Sequence, residues 1–323
     1  MLLAGDLGAT NTRLGLFQRH TPRPAEIVTR DFSTNAYPGL AAMIVQFLRE
    51  SGTPPADIEA ACVGVAGPVI EQRVYPTNID WVVDGAEVKR TAGIDRLHLL
   101  NDVEAMAYSV NVLTRAELFV LQEGTRNPTG NGALLTAGTG LGQGMLIHVD
   151  GEWRPSPSEG GHADFAARTP REIELLIDLT NQYGRAHTEH VVSGPGIVNL
   201  VRFTSKGRSR VLQEGGDPKE LPSRVTQAAL DRTDPYCVEA LDLFIGAYGA
   251  AAGNAAMQCV ATGGVYLGGG IPPKILPAFE TSAFMDAFRA KSPMEDLMRS
   301  IPVAIILNKN AGLLGAAVFA SRL

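Results

Sequence analysis

Carboxylate, amide and imidazole side chains recur in this sequence beside glycines and at the predicted ends of strands. Asn101 and Asp102 follow an apolar run, so the Asp102 carboxylate is expected at the carboxyl end of a strand, beside a helix start. Glu159 and His162 flank the two glycines of a tight turn, and Glu189 precedes another glycine-rich segment. Carboxylates and amides together suit the binding of a polyol, because each carboxylate can accept two hydroxyl hydrogen bonds.

The position of Asp102 alone permits two interpretations. Aspartate is a favoured N-cap residue, so Asp102 could serve only to cap the helix that follows, and its residue type favours this interpretation. In the other interpretation the carboxylate accepts a proton from a bound ligand. The sequence leaves both open at this point.

Two glycine-rich turns, over residues 5–11 and 137–142, each follow an apolar strand and lead into another strand. This pattern predicts two hairpins. A phosphate held by main-chain N–H groups needs the chain to approach closely and to adopt positive φ, and glycine permits both. The two turns could therefore be two halves of one nucleotide clamp, although either could also be a simple turn. A Walker A loop is absent from the sequence, and the G-x-G-x-G spacing of the second turn disfavours a Rossmann domain.

Length and composition limit the other function classes. The chain has 323 residues, 45% of them hydrophobic, which predicts a globular protein of two lobes. Its net charge is −6 and its basic residues are scattered singly, so a nucleic-acid partner is not expected. Cys62, Cys237 and Cys259 are widely spaced in apolar surroundings, which is typical of reduced, buried thiols in a cytosolic protein. His187 and His190 have no cysteine nearby, so their spacing does not predict a zinc site.

The predicted elements divide into a mixed α/β first lobe and a larger, more helical second lobe, with a boundary near residue 110. Strands are predicted near 2–7, 12–18, 26–32, 59–66, 69–75, 96–100, 117–122, 132–138, 143–149, 264–268 and 303–307. Helices are predicted near 38–51, 84–91, 101–111, 170–183, 195–205, 223–231, 236–260, 283–290 and 310–321. The charge-free stretch 243–273 contains Asn254 and Gln258, so we expect a buried helix there and no membrane span.

A series of motifs runs through the chain in a fixed order. They are Gly5–Arg13, Thr77-Asn78 with Trp81, Asn101-Asp102, Ala137–Gly142, Glu159–Ala166, Ser193–Gly196, Gly268–Pro272 and Asn310–Gly315. With this series the chain resembles the bacterial ATP-dependent glucokinases of the enterobacterial type, within the hexokinase/actin/heat-shock-chaperone ATPase superfamily. The related repressor/open-reading-frame/kinase family carries a cysteine-rich zinc motif that these three cysteines cannot form. One departure from the family is Ala9, which stands where a second glycine is usual.

The resemblance implies an α/β fold with two RNase H-like (actin-like ATPase) lobes, duplicated, and an active-site cleft between them. The small domain would comprise residues 1–109 and the C-terminal helix 310–323, and the large domain residues 110–309. A cytoplasmic homodimer without a membrane partner is also implied.

The same resemblance implies the ligands and the residues that hold them. The implied ATP-binding residues are Gly5, Asp6, Leu7, Gly8, Ala9, Thr10, Asn11, Gly138, Thr139, Gly140, Gly268, Gly269 and Gly270. Asp6 would also organise Mg²⁺, directly or through water. The implied glucose-binding residues are Asn101, Asp102, Glu159, His162 and Glu189, with Thr77 and Asn78 as second-rank candidates. Asp102 would be the general base that takes the proton of the sugar 6-hydroxyl group.

Two other functions are compatible with the same motifs. A kinase for another hexose, such as mannose or fructose, would keep all of them, because a small shift of the polar cage changes which hydroxyl configuration fits. A non-enzymatic sugar sensor would be favoured by a broken clamp or a missing base, but Asp6, Asp102 and Gly138–Gly140 are all present.

Overall fold

The structure is a computed structural model that describes residues 1–76 and 79–323. Its strands are β1 Leu2–Leu7, β2 Asn11–Gln18, β3 Ala25–Ser33, β4 Ala60–Val65, β5 Arg73–Val74, β6 Val83–Asp84, β7 Leu97–Asn101, β8 Leu118–Gln122, β9 Gly132–Ala137, β10 Leu141–Val149, β11 Glu152–Ser158, β12 Gly264–Gly268 and β13 Val303–Ile306. Its helices are α1 Leu40–Ser51, α2 Gly85–Ala92, α3 Asp102–Ser109, α4 Pro170–Tyr183, α5 Gly194–Ser205, α6 Arg210–Gln213, α7 Leu221–Leu230, α8 Pro235–Cys259, α9 Leu276–Phe279, α10 Ala283–Arg289, α11 Glu295–Ser300 and α12 Ala311–Ala320.

The chain divides into two compact units. Unit 1 comprises Met1–Arg115, Glu152–Pro157 and Asn308–Leu323, and unit 2 comprises Ala116–Gly151 and Ser158–Leu307. Both units mix helices with a sheet, so the protein has the mixed α/β fold that the sequence predicts.

The sheet of unit 1 has the strand order β3-β2-β1-β4-β7. Strands β1 and β2 form an antiparallel hairpin, and β4 and β7 run parallel to β1. Side chains alternate between the two faces of a strand, so β1 places Leu2, Ala4 and Asp6 on one face and Leu3 and Leu7 on the other. The first face packs against α3 and α12, and the second packs against α1 and α2. Asp6 therefore follows the buried side chains of Leu2 and Ala4 on the face of the sheet that α12 covers.

In unit 2, strands β10, β9, β12, β13 and β8 are neighbours in that order. Here β9 and β10 form an antiparallel hairpin, and β12 and β13 lie parallel to β9. The long helix α8 is buried between this sheet and the surrounding helices, with Phe244 and Tyr248 fully covered. Both glycine-rich turns of the sequence thus join the strands of a hairpin, as predicted.

Several predicted features are confirmed in the described residues. The three cysteines are free and buried, and burial raises the pKa of the Cys237 thiol to about 11. The helix predicted over 236–260 is α8, and none of the described helices is both long and apolar enough to span a membrane.

One predicted strand, over 69–75, is wrong for most of its length. Glu71 and Gln72 have φ angles of 50° and 60°, and Ile70 and Arg73 exchange two backbone hydrogen bonds of 2.9 Å across them. Left-handed residues cannot continue an extended strand, so the chain turns there and only Arg73–Val74 is a strand.

Candidate functional site

The Asn101-Asp102 pair lies where β7 ends and α3 begins, as predicted. Asn101 has extended backbone angles, φ −63° and ψ 148°, and its Oδ1 accepts hydrogen bonds from the N–H groups of Val103 at 2.9 Å and Glu104 at 3.3 Å. These are the bonds of an N-cap, so the interpretation of Asp102 as the cap is wrong: the cap is Asn101. Asp102 is the first helical residue, and its Oδ1 accepts from the Val103 N–H at 3.0 Å.

The Asn101 amide also fixes the neighbouring loop. Its Nδ2 donates to the carbonyl oxygen of Gly67, which follows β4, at 3.1 Å. Because β4 and β7 are parallel neighbours, their carboxyl ends meet at one edge of the sheet, and this bond ties them together. The candidate residues Thr77 and Asn78 lie outside the described residues.

The first glycine-rich turn is held by its own backbone and by Thr34. The N–H of Gly8 donates to the Asn11 carbonyl at 3.1 Å, and the Thr34 hydroxyl donates to the Gly8 carbonyl at 2.8 Å. A Cβ atom at Gly8 would lie 2.9 Å from the Asn11 oxygen, so a side chain there would disturb the turn. The backbone at Gly8 must therefore stay bare, whereas Ala9 and Thr10 are accommodated.

Asp6 lies on the last part of β1, next to this turn. Burial raises the pKa of the Asp6 carboxyl group, while the positive charge of Arg13 on the paired strand acts in the opposite direction. The Arg13 guanidinium is itself bonded to Asp31, at 2.6 and 2.9 Å, and to the Asn310 side chain. Asp6 thus receives little direct compensation from Arg13, which suits a carboxylate that binds a cation.

The second glycine-rich turn lies beside two further candidate segments of unit 2. The carbonyl of Gly138 accepts from the N–H of Gly194, at the start of α5, at 2.8 Å. Gly269 has φ 90°, and a Cβ atom there would overlap the Ala137 carbonyl group. The Gly268–Gly270 turn thus lies against the end of β9, at the point where the Gly138–Gly140 turn begins.

Glu189, one of the predicted sugar-binding residues, contacts the same turn. Its Oε2 accepts from the Leu141 N–H at 2.8 Å, although the two residues are far apart in sequence. A Cβ atom at Gly140 would lie 2.6 Å from that oxygen, so glycine is required for the approach. The structure therefore brings Glu189 and the turn 138–140 into direct contact.

Glu159 precedes a short 3₁₀ turn, Gly160–His162, and His162 is its last residue. The His162 N–H donates to the Glu159 carbonyl at 3.0 Å, and the His162 Nε2 lies 3.9 Å from Glu159 Oε2. Both side chains are well exposed, at 53% for His162 and 64% for Glu159, so both can reach a ligand. The ring of His162 lies 5.0 Å from that of His187, edge to face.

Comparison with known proteins identifies the family of the chain. The family model described as Glucokinase matches residues 3–323. The chain belongs to the glucokinase family. Among curated relatives of this family, a glucokinase of Synechocystis is 39% identical over 99% of the chain and 98% of its own length, and one of Cronobacter sakazakii is 36% identical over 97% and 95%. The resemblance to glucokinases seen in the sequence is confirmed.

Solved structures of glucokinases share the fold. A glucokinase from an Antarctic psychrotroph superposes with a TM-score of 0.86 at 26% identity, covering 100% of this chain and 99% of the other. A glucokinase from Streptomyces griseus, in complex with glucose and AMPPNP, has a TM-score of 0.66 at 19% identity over 100% of this chain and 99% of its own. At 19% identity the second likeness shows the fold alone.

Sequence reasoning missed two residues that lie close to Asp6 and Arg13, namely Gly312 and Asn310. A Cβ atom at Gly312 would lie 2.9 Å from Asp6 Oδ2, so the start of α12 can approach the carboxylate only as glycine. Asn310 binds Arg13. Both residues belong to the Asn310–Gly315 motif, and the family resemblance placed the helix 310–323 in the small domain, but the sequence did not show that these two residues lie beside Asp6 and Arg13.

Proposed function

We propose that this protein transfers the γ-phosphoryl group of ATP to the 6-hydroxyl group of D-glucose, with Asp102 as the general base. The observation that supports this most directly is the start of α3. Asn101 makes the capping bonds there, so the helix does not need the Asp102 carboxylate as its cap. The glucokinase family model matches residues 3–323, and this family membership supports ATP and D-glucose as the substrates.

The nucleotide is assigned to the two glycine-rich turns and to Gly268–Gly270. In both hairpins the turn exposes backbone where a side chain would interfere, which is the requirement for main-chain binding of phosphates. The N-terminus of α5, next to Gly138, adds a partial positive charge to the second turn. These features and the family membership support ATP as the phosphoryl donor.

Asp6 is assigned as the Mg²⁺-organising residue. Its carboxylate is a hard oxygen ligand, is partly buried, and has Arg13 as a neighbour that is already engaged by Asp31 and Asn310. A bound Mg²⁺ neutralises negative charge on the phosphates during phosphoryl transfer. The residues present fit that role.

The sugar is assigned to Asn101, Asp102, Glu159, His162 and Glu189. Phosphoryl transfer asks the protein mainly for alignment and charge, so these side chains would fix the hydroxyl groups and hold the 6-hydroxyl oxygen in line with the γ-phosphorus. Asp102 accepts the hydroxyl proton as the new O–P bond forms and the bond to ADP breaks. Family resemblance adds Thr77 and Asn78 as further sugar ligands.

The two compact units are proposed to be the small and large domains of a duplicated, actin-like ATPase fold. In each unit an antiparallel hairpin is followed by two strands parallel to its first strand, which supports the duplication. An active-site cleft between the domains and a cytoplasmic homodimer belong to the same proposal and rest on the family resemblance.

A substrate panel tests the function directly. The purified protein should phosphorylate D-glucose with Mg-ATP, with a higher kcat/KM for glucose than for mannose or fructose. ADP release coupled to sugar addition provides the measurement. A higher kcat/KM for another hexose would establish the alternative hexose kinase, and sugar binding without ADP release would establish a sensor.

His162→Ala should weaken glucose binding by about tenfold, because one partner of a sugar hydroxyl is lost. ATP binding should stay within about twofold of the parent protein. Calorimetric titration with each ligand separately measures both affinities. The matched control is His148→Ala, a histidine on β10 with no assigned role in either site. Equal losses for glucose and ATP would indicate a purely structural role for His162.

Gly140→Ala should also weaken glucose binding by about tenfold, by a different route. The new methyl group would displace the Glu189 carboxylate, whose Oε2 lies 2.6 Å from the Cβ position, and so break its bond to the Leu141 N–H. Gly138→Ala is the matched control, since its Cβ position has no heavy atom within 4 Å. Its glucose affinity should not change. An equal loss in both variants would show that the loop backbone, and not Glu189, sets glucose affinity.

A further inference from the structure

A cluster of metal-ligating side chains lies in unit 2, formed by His162, His187 and Glu189. Each of the three residues offers one ligand atom, and these atoms lie within 4.8 Å of one another. The three side chains come from two short turns, at 160–162 and 188–190, that the fold places side by side. We propose that these three residues form a binding site for a divalent transition-metal ion of the Zn²⁺ class, and that metal and glucose exclude each other there.

His187 provides the observation that points to a missing ligand. Its Nδ1 is buried and has no hydrogen-bond partner among the described residues, and a buried polar atom without a partner is rare in folded proteins. A metal ion bound at the Nδ1 atom would supply the missing partner, since imidazole nitrogens are common ligands of Zn²⁺.

The geometry needs only small side-chain movements to bind an ion. Bonds of about 2.0–2.2 Å in a tetrahedral site place two ligand atoms about 3.3 Å apart, which is closer than the present 4.8 Å limit. His162 is the side chain that can move, since 53% of it is exposed. Glu189 uses Oε2 to accept from the Leu141 N–H, so its Oε1 can bind an ion without loss of that bond.

The three ligand atoms determine which metal ions fit the site. Two imidazole nitrogens and one carboxylate oxygen favour Zn²⁺, Co²⁺, Ni²⁺ or Cu²⁺ over Mg²⁺, which prefers oxygen ligands and retains its water. The cluster would thus bind an ion different from the Mg²⁺ that accompanies ATP. Three protein ligands leave the fourth position of a tetrahedron for water.

The competition with glucose rests on the proposed function, whereas metal binding itself does not. His162 and Glu189 are assigned to the sugar, and a metal ion on the same atoms would occupy the positions of the sugar hydroxyl groups. Free Zn²⁺ would then inhibit the enzyme competitively with glucose. His187 is the one member of the cluster without an assigned sugar contact.

Visible absorption of Co²⁺, used as a spectroscopic substitute for Zn²⁺, tests the site on the full chain. The parent protein treated with a chelator and then titrated with CoCl₂ should develop the d–d bands of a bound ion, and Zn²⁺ should displace it. His187→Ala should weaken Co²⁺ binding by more than about 10²-fold, which exceeds the loss that removal of an outer hydrogen bond to a ligand produces. His148→Ala, the remote control, should bind Co²⁺ like the parent protein.

Saturating glucose should remove the Co²⁺ bands from the parent protein. The site is refuted if Co²⁺ does not bind, or if the bands persist in His187→Ala with unchanged affinity; far-UV circular dichroism of that variant verifies that it is folded. Bands that persist at saturating glucose would refute the competition. If only the proposed function is wrong, the result is different: no sugar is phosphorylated, but Co²⁺ still binds to the parent protein and its binding still requires His187.

Discussion

Asp102→Asn is expected to lower kcat for glucose phosphorylation by at least about 10²-fold, because a general base typically contributes 10²–10⁴-fold. The substitution keeps the size of the side chain and an oxygen that can accept from the Val103 N–H, now at 3.0 Å. Asn101 continues to cap the helix through Val103 and Glu104. Glucose and ATP should therefore still bind, and only the proton acceptor is removed.

Steady-state kinetics and separate titrations with the two ligands distinguish the possible outcomes. Glu104→Gln is the matched control, since Glu104 lies in the same first turn of α3 and its replacement removes an equal charge from the helix N-terminus. Its kcat should stay within a few-fold of the parent value. Near-normal kcat in Asp102→Asn would refute the assignment of the base, and an equal loss in Glu104→Gln would assign the effect to helix charge.

Gly315→Ala is expected to lower the free energy of unfolding by at least about 3 kcal/mol. Gly315 is buried on α12, and a Cβ atom there would overlap the Ala105 carbonyl oxygen of α3 and lie 2.9 Å from the Ser109 N–H nitrogen. Both contacts are with backbone, so no side-chain rotation relieves them. Helix propensity alone predicts the opposite sign, a gain of about 1 kcal/mol, so the direction of the change decides whether the close contact matters.

Denaturant unfolding measures this change, and Gly39→Ala provides the control. The Cβ position of Gly39 has no heavy atom within 4 Å, and its extended backbone accepts alanine. Gly39 is the N-cap of α1, so that variant should lose no more than about 1 kcal/mol, the typical cost of alanine at an N-cap. Because α3 carries Asn101 and Asp102 at its start, the folded fraction of Gly315→Ala should also lose activity. A stabilised Gly315→Ala protein would contradict the close packing of α12 on α3.

Local features were predictable because neighbouring residues determine them. The hairpins at residues 5–11 and 137–142 follow from glycine between two apolar runs, and α8 follows from a long apolar segment without proline after its first turn. Strand β11 was missed, because Pro155 and Pro157 lack the N–H group that a strand normally donates. The order of the motifs alone was enough to indicate the glucokinase family, since each motif is contiguous in the chain.

Only the tertiary structure decided which distant residues meet. The identity of the α3 cap depends on backbone angles at Asn101, and both Asn101 and Asp102 are acceptable cap residues, so residue type could not choose between them. The bond from Leu141 to Glu189 joins residues 48 positions apart, and the cluster of His162 with His187 joins two separate turns. The sequence determined the chemical groups of this protein, whereas the packing of its turns determined which groups share a site, because such contacts depend on the whole fold.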